Sequence, residues 1–208
     1  MRFLLVLIIL IIIGGTVFYF LPGTIHLEKS MVLKAKQPVV YRALSNTNEW
    51  KKWAEWLRSD PGATITYNGP AAGSGARLNW SSDVADYGEG DVLIESTQEP
   101  GQLRATITYK KYGVAGNSFL VENTGNGTRV IWTSDVVISN WFNKVYANSW
   151  RKRFNTWMDA SLRNLDEYTA AEPEYPLVQQ DTMLHKVDSL NRQIDSLRSA
   201  RKDTVYVP

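Results

Sequence analysis

Near the start of this 208-residue chain, Phe3 to Leu21 reads FLLVLIILIIIGGTVFYFL, nineteen residues without a charge. As a helix rising 1.5 Å per residue, the run reaches roughly 28 Å, close to the ~30 Å hydrocarbon core of a bilayer. A secretory signal has an apolar stretch of about 7–15 residues and ends in small side chains. Here Phe18, Tyr19, Phe20 and Leu21 occupy that end. The chain has no Cys, which excludes lipoprotein processing, disulfides and thiolate metal sites together. The expectation is an uncleaved, single-pass transmembrane anchor through residues 3–21, within a segment 1–23, with Tyr19 at the interface. Arg2 precedes the run and Lys29, Lys34 and Lys36 follow it, so the basic residues do not set the orientation. The very short leader resembles an export signal, and the expected location of the remainder is extracytoplasmic, on the periplasmic side.

Residues 24–208 suffice for one domain and an appendage. Lys and Arg total 23 against 21 Asp and Glu, a net charge of +2, so there is no broad basic field and no nucleic-acid partner is expected. Aromatic side chains are 12% of the chain, including 8 Trp and 10 Tyr, ample for a core of large flat groups.

The hydropathy pattern predicts one α+β domain over residues 24–169. Thr24 to Lys36 alternates as a strand, with Ile25, Leu27, Lys29, Met31 and Leu33 on one face. Gln37-Pro38 starts a short helix. Asn46 or Asn48 caps a second one bearing Trp50, Trp53 and Trp56, which stops before Asp60-Pro61-Gly62. Strands are expected at Ala63–Asn68, Ala76–Ser81, Gly88–Thr97, Leu103–Tyr109, Ser118–Asn123 and Thr128–Ile138. Glycine loops are expected at Gly69–Gly75 and Tyr112–Gly116, and a hairpin turn at Thr124–Gly127. With no helix-length crossovers, the sheet is antiparallel. A long helix then starts near Asn143 to Ser149 and runs to about Tyr168. Its apolar stripe is Phe154, Trp157, Met158, Ser161, Leu162 and Leu165.

A proline-bearing linker follows at residues 170–177. In the tail, 178–208, Val187, Leu190, Ile194 and Leu197 form two heptads with β-branched residues at a and Leu at d. That pattern suits a parallel two-stranded coiled coil and predicts a homodimer through those four residues. Two heptads are short for an independent coil, so an amphipathic helix lying on its own domain or on the bilayer, and a heterologous partner, stay open.

Catalytic machinery is sparse. His26 and His185 are the two histidines, one beside the membrane and one in the tail, so no Ser-His-Asp triad forms in the domain. No zinc motif or phosphate-binding loop is present, and neither metal nor cofactor is expected. Asp83, Asp86, Glu89, Asp91 and Glu95 cluster on one hairpin, expected as a solvated surface; the candidate general base among them is Glu95, which neighbours Val92, Leu93 and Ile94 but falls opposite Val92 and Ile94 by strand parity. The aromatic set is more informative. Trp50, Trp53 and Trp56 on the elbow, Trp80, Tyr109, Phe119 and Trp132 on strands, and Phe154 and Trp157 on the long helix converge if the sheet wraps that helix; all but Trp50 are the candidate ligand-binding residues. They either fill a core or line an apolar cavity whose mouth the glycine loops gate.

The order strand, two short helices, antiparallel strands and long C-terminal helix resembles the helix-grip fold of the SRPBCC superfamily, the START-like and polyketide cyclase/dehydrase-like proteins. The local match is to its membrane-anchored bacterial members. It rests on Met31–Pro38, Trp50-Lys51-Lys52-Trp53-Ala54-Glu55-Trp56, Asp60-Pro61, Tyr67-x-Gly69-Pro70, Gly73-x-Gly75, Trp80 and Gly127-Thr128-Arg129-Val130-x-Trp132. The resemblance implies an apolar small-molecule ligand, lipid-like or isoprenoid- or polyketide-like, held between a curved sheet and the long helix. It implies no fixed catalytic set. The alternatives are a cyclase- or dehydratase-like enzyme using a cavity carboxylate, and an anchored scaffold that dimerises through its tail.

Overall fold

The structure is a computed structural model. It describes residues 23–138, 140–171 and 189–194, together with Phe3, Leu4, Val6, Leu7, Ile9, Gly15 and Thr16. The chain divides into two units, Met1–Glu172 and Pro173–Pro208.

In the first unit the chain runs β1 (Thr24–Leu33), α1 (Gln37–Ser45), a 3-10 turn at Thr47–Glu49, α2 (Trp50–Trp53) and α3 (Glu55–Arg58). Six strands follow: β2 (Thr64–Asn68), β3 (Arg77–Ser81), β4 (Glu89–Gln98), β5 (Gln102–Tyr109), β6 (Gly113–Asn123) and β7 (Thr128–Val137). A 3-10 turn at Trp141–Tyr146 leads into α4 (Ala147–Ala171). The seven strands make one sheet ordered β1-β7-β6-β5-β4-β3-β2, antiparallel throughout. Strict alternation along β5, β6 and β7 puts Leu103, Ala105, Ile107, Phe119, Val121, Val130 and Trp132 on the inner face. Helix α4 lies across that face, packed against β1, α1 and the elbow helices. This is the expected helix-grip arrangement.

Local differences from the expected elements have physical causes. The elbow is two single turns, because Ala54 leaves the helical region at ψ 116°. The break is held by α4: the backbone N–H of Glu55 donates to Ser161 Oγ at 2.9 Å, and Asn164 Nδ2 donates to the Trp53 carbonyl at 3.2 Å. A straight helix would carry residues 50, 53 and 56 progressively around its axis; the break lets all three indoles enter the core. The expected loop at Tyr112–Gly116 is strand from Gly113 onward, since Gly116 pairs in register with both Thr106 and Asp135. Helix α4 continues through Ala171, so the first residues assigned to the linker are helical.

Phe3, Leu4, Val6, Leu7 and Ile9 are helical and exposed. Among the described residues no helix is long and apolar enough to cross a membrane. Most of the expected anchor at 3–21 lies outside the described residues, as do most of the linker and tail. Of the heptad positions, Leu190 and Ile194 are helical and exposed, whereas Val187 and Leu197 lie outside the described residues.

Candidate functional site

The eight aromatic residues singled out from sequence are all buried and form one continuous set of ring contacts. At the elbow end, Trp53 meets Phe119 and Trp132 with centroids 6.5 and 6.4 Å apart, and Phe119 and Trp132 lie 4.9 Å apart. Trp56 links this group to Tyr109 at 6.0 Å. Tyr109 is the hub of the other end, meeting Trp80 at 5.6 Å, Phe154 at 5.3 Å and Trp157 at 6.1 Å. Burial pushes the Tyr109 phenol far above its ordinary range, so it stays neutral and a hydrogen-bond donor. The rings between sheet and helix therefore pack on one another along this line.

Trp50, expected with the other elbow indoles, completes that cluster 4.9 Å from Trp53. Sequence reasoning left out three participants. Tyr112 contacts Tyr109, Trp150, Phe154 and Trp157, and Tyr87 covers Trp157 at 5.9 Å. Trp150 was legible: it precedes Phe154 by four residues on the same stripe. Tyr87 was not, because it sits in the Ser82–Gly88 loop, where no periodicity applies.

The indole N–H groups separate the two ends. Trp50 donates to the Leu44 carbonyl at 2.9 Å, Trp53 to the Ala43 carbonyl at 3.1 Å and Trp132 to Asn117 Oδ1 at 2.9 Å. Trp56 is 1% exposed, and its Nε1 has no hydrogen-bond partner among the described residues. A buried donor left open costs about 1–3 kcal/mol relative to a paired one.

Near the helix end, a surface groove of about 380 Å³ is bordered by Tyr87, Trp157, Lys152, Arg153 and Asp86. The loop on its rim is tied to α4, to the β5–β6 turn and to β3. Asp86 forms an ion pair with Arg153, Tyr112 Oη donates to the Asp86 carbonyl at 3.0 Å, and Trp80 Nε1 donates to the Tyr87 carbonyl at 3.2 Å. The hydrogen bond from Arg153 holds the Asp86 carboxyl below its usual range. Gly90 is required beneath Trp80: a Cβ there would fall 2.3 Å from the indole ring. The Gly69–Gly75 loop lies elsewhere. It is fastened to the elbow through Gly73 N–H to the Ser45 carbonyl and Thr47 N–H to the Ala71 carbonyl, at 2.9 and 3.1 Å.

The hairpin carboxylates lie at the surface, and the alternative that made Glu95 an interior general base is corrected. None of Asp83, Asp86, Glu89, Asp91 and Glu95 is buried. Glu95 sits at an irregularity between Ile94 and Ser96 and is exposed, accepting a hydrogen bond from Thr106 on the outer face of β5. Strand parity accounts for this, since Val92 and Ile94 take the inner positions. Glu95 therefore has no place at an interior site. His26 pairs with Asp135 on the exposed outer surface, and His185 lies outside the described residues.

The family model described as Polyketide cyclase / dehydrase and lipid transport matches residues 24–170. The chain belongs to this family. No curated protein sequence matches it. Solved structures share the fold at low identity. An uncharacterised protein from Rhizobium leguminosarum is 15% identical, with a TM-score of 0.56, over 72% of this chain and 96% of its own. Ara h 8.0201 is 10% identical, with a TM-score of 0.55, over 72% of this chain and 100% of its own. The di-domain ARO/CYC protein BexL, from the BE-7585A biosynthetic pathway, is 15% identical, with a TM-score of 0.54, over 73% of this chain and 52% of its own.

Proposed function

We propose that this chain is a membrane-anchored, periplasmic-side binding domain for a hydrophobic small molecule, lipid-like or isoprenoid- or polyketide-like. The ligand is taken up between sheet and α4 from the Tyr87–Trp157 side. The observation that carries the reading is the open indole N–H of Trp56 inside an aromatic wall whose other elbow indoles are paired. A mostly apolar ligand with one oxygen acceptor satisfies both features: its rings or chain stack on Trp157, Tyr109 and Phe154, and its oxygen accepts from Trp56. Because the rings touch, uptake proceeds by swinging Tyr87 and Trp157 aside instead of filling a standing void. The apolar run at 3–21 holds the domain where such molecules partition, and the tail pairs two copies through Val187, Leu190, Ile194 and Leu197.

Two measurements test this. Solvent extraction of the purified chain followed by mass spectrometry yields a stoichiometric apolar compound. Trp56→Phe keeps an aromatic ring and removes the donor with half of the indole: the fold is destabilised by less than the roughly 3–5 kcal/mol of a Trp→Ala change, while affinity for that compound falls by at least about tenfold, the equivalent of one hydrogen bond worth about 1.4 kcal/mol. A chain that yields no compound and takes up no apolar dye sinks the carrier reading.

A further inference from the structure

We propose that the turn Trp141–Tyr146, with the first turns of α4, rests on an anionic lipid bilayer as a second membrane contact beyond the anchor. The inference builds on the anchored reading above. Phe142, Val145 and Tyr146 are 60%, 55% and 56% exposed. Val114 and Val137, paired across β6 and β7, are exposed on the outer face at the same end of the sheet. Large apolar side chains gathered this way on a turn mark a contact surface.

The chain's own path identifies the occupant. The apolar run closes at Leu21, and Gly23 is built into this end of the domain. Its carbonyl accepts from Ile138 N–H at 2.9 Å, and Lys144 Cε passes 3.5 Å from where a Gly23 Cβ would stand. Consecutive Cα atoms are about 3.8 Å apart, so a membrane-embedded Leu21 keeps Gly23 within about 8 Å of the point where the anchor leaves the bilayer, and the exposed turn, whose Lys144 side chain reaches Gly23, is held at that same end. No other face of the domain is under that constraint.

Charge agrees. From Asn140 to Met158 the sequence holds Lys144, Arg151, Lys152 and Arg153 and no acidic residue. Three of these cations lie in the second turn of α4. Arg153 is held by Asp86 and Tyr112, and Arg151 donates to the His26 carbonyl at 3.3 Å, so Lys144 and the exposed Lys152 are the cations offered to an anionic headgroup layer. Nearby acids are engaged: Asp86 with Arg153 and Lys111, Glu89 with Lys110, and Asp135 with His26. Alternating aromatic and basic residues at one level are how a surface settles into the headgroup region. The groove bordered by Lys152, Arg153 and Trp157 adjoins this segment, so docking brings its mouth to the lipid.

The absence of Cys makes the test direct. Full-length chains carrying Val145→Cys or Glu122→Cys are labelled with a fluorophore and reconstituted into phosphatidylcholine vesicles, with or without phosphatidylglycerol, that contain nitroxide-headgroup lipid. Residues 114 and 122 lie about 27 Å apart along β6, so the label at 122 reports the far end of the domain. The expected result is loss of most of the signal at 145 in the phosphatidylglycerol vesicles, little loss at 122, and weakened quenching at 145 when Lys144→Glu and Lys152→Glu are added. Chains that float with the vesicles yet show equal signal at both positions overturn docking and leave the anchor standing. Chains that do not float overturn both. Cysteine cross-linking of two copies through position 145, without quenching, assigns the patch to self-association and overturns the lipid contact.

Discussion

The two ends of the aromatic core use the same residue types in different ways. At the elbow, the indoles of Trp50, Trp53 and Trp132 are each capped by a carbonyl oxygen within 3.1 Å. Trp56, where the elbow meets Tyr109, has no partner among the described residues, and toward α4 Trp157 borders a groove under the loop residue Tyr87. Around Trp53 the core is finished: Trp50, Trp53 and Trp132 each have their apolar and polar requirements met within the chain. From Trp56 onward it is complete in shape and, at that one indole, incomplete in hydrogen bonding. The difference teaches where an aromatic core ends and a binding wall begins, which burial class alone does not reveal because the rings singled out at both ends are buried.

The largest test of that contrast is Trp53→Ala. It removes a fully buried indole contacting Trp50, Phe119 and Trp132, and the expected destabilisation is about 3–5 kcal/mol in denaturant titration. A loss below about 1 kcal/mol would show that the elbow is not the rigid end. Asn117→Ala is next. It strands the Trp132 N–H, and a loss of about 1–3 kcal/mol is expected, read by the same titration. The reverse pattern is expected for Trp157→Ala: affinity for an apolar dye falls about tenfold, close to 1.4 kcal/mol, while the unfolding midpoint moves less than for Trp53→Ala. Equal effects on binding from both substitutions would erase the distinction between the ends. The smallest effect is on pH. Asp86 has a folded pKa below its ordinary 3.8, set first by the hydrogen bond from Arg153. Its contribution is fully present above pH 3.8 and is lost as pH falls through the depressed value. Amide protection factors in the Ser82–Gly88 loop, taken relative to the unfolded chain at each pH, should therefore be flat across neutral pH and fall only in strong acid. Added salt should weaken the latch, since both partners are solvent-accessible.

Most of the fold was legible because its elements are long and strictly periodic. β5, β6 and β7 alternate residue by residue, and the α4 stripe through Leu165 follows helical spacing. The elbow break was not legible. Nothing in Trp-Ala-Glu-Trp disfavours a helix, and the break exists because Ser161 and Asn164, more than a hundred residues away, satisfy the interrupted backbone. The site was legible as a list of rings and illegible as a division of labour. Which indole finds an oxygen depends on Asn117 and on the carbonyls that end α1, and no spacing rule connects those positions. Glu95 illustrates the converse. Its apolar neighbours suggested an interior, but strand parity was the stronger rule.

Strand order carries a consequence for biogenesis. β1 pairs with β7 alone, Ile25 against Val136. At a translation rate of about 5–20 residues per second, the first strand waits roughly 5–20 s for its mate to leave the ribosome. During that interval it is an unpaired ribbon, and the sheet closes only once β7 has emerged, with α4 still to be made. Any chaperone that attends this chain in its cell has that one strand to guard.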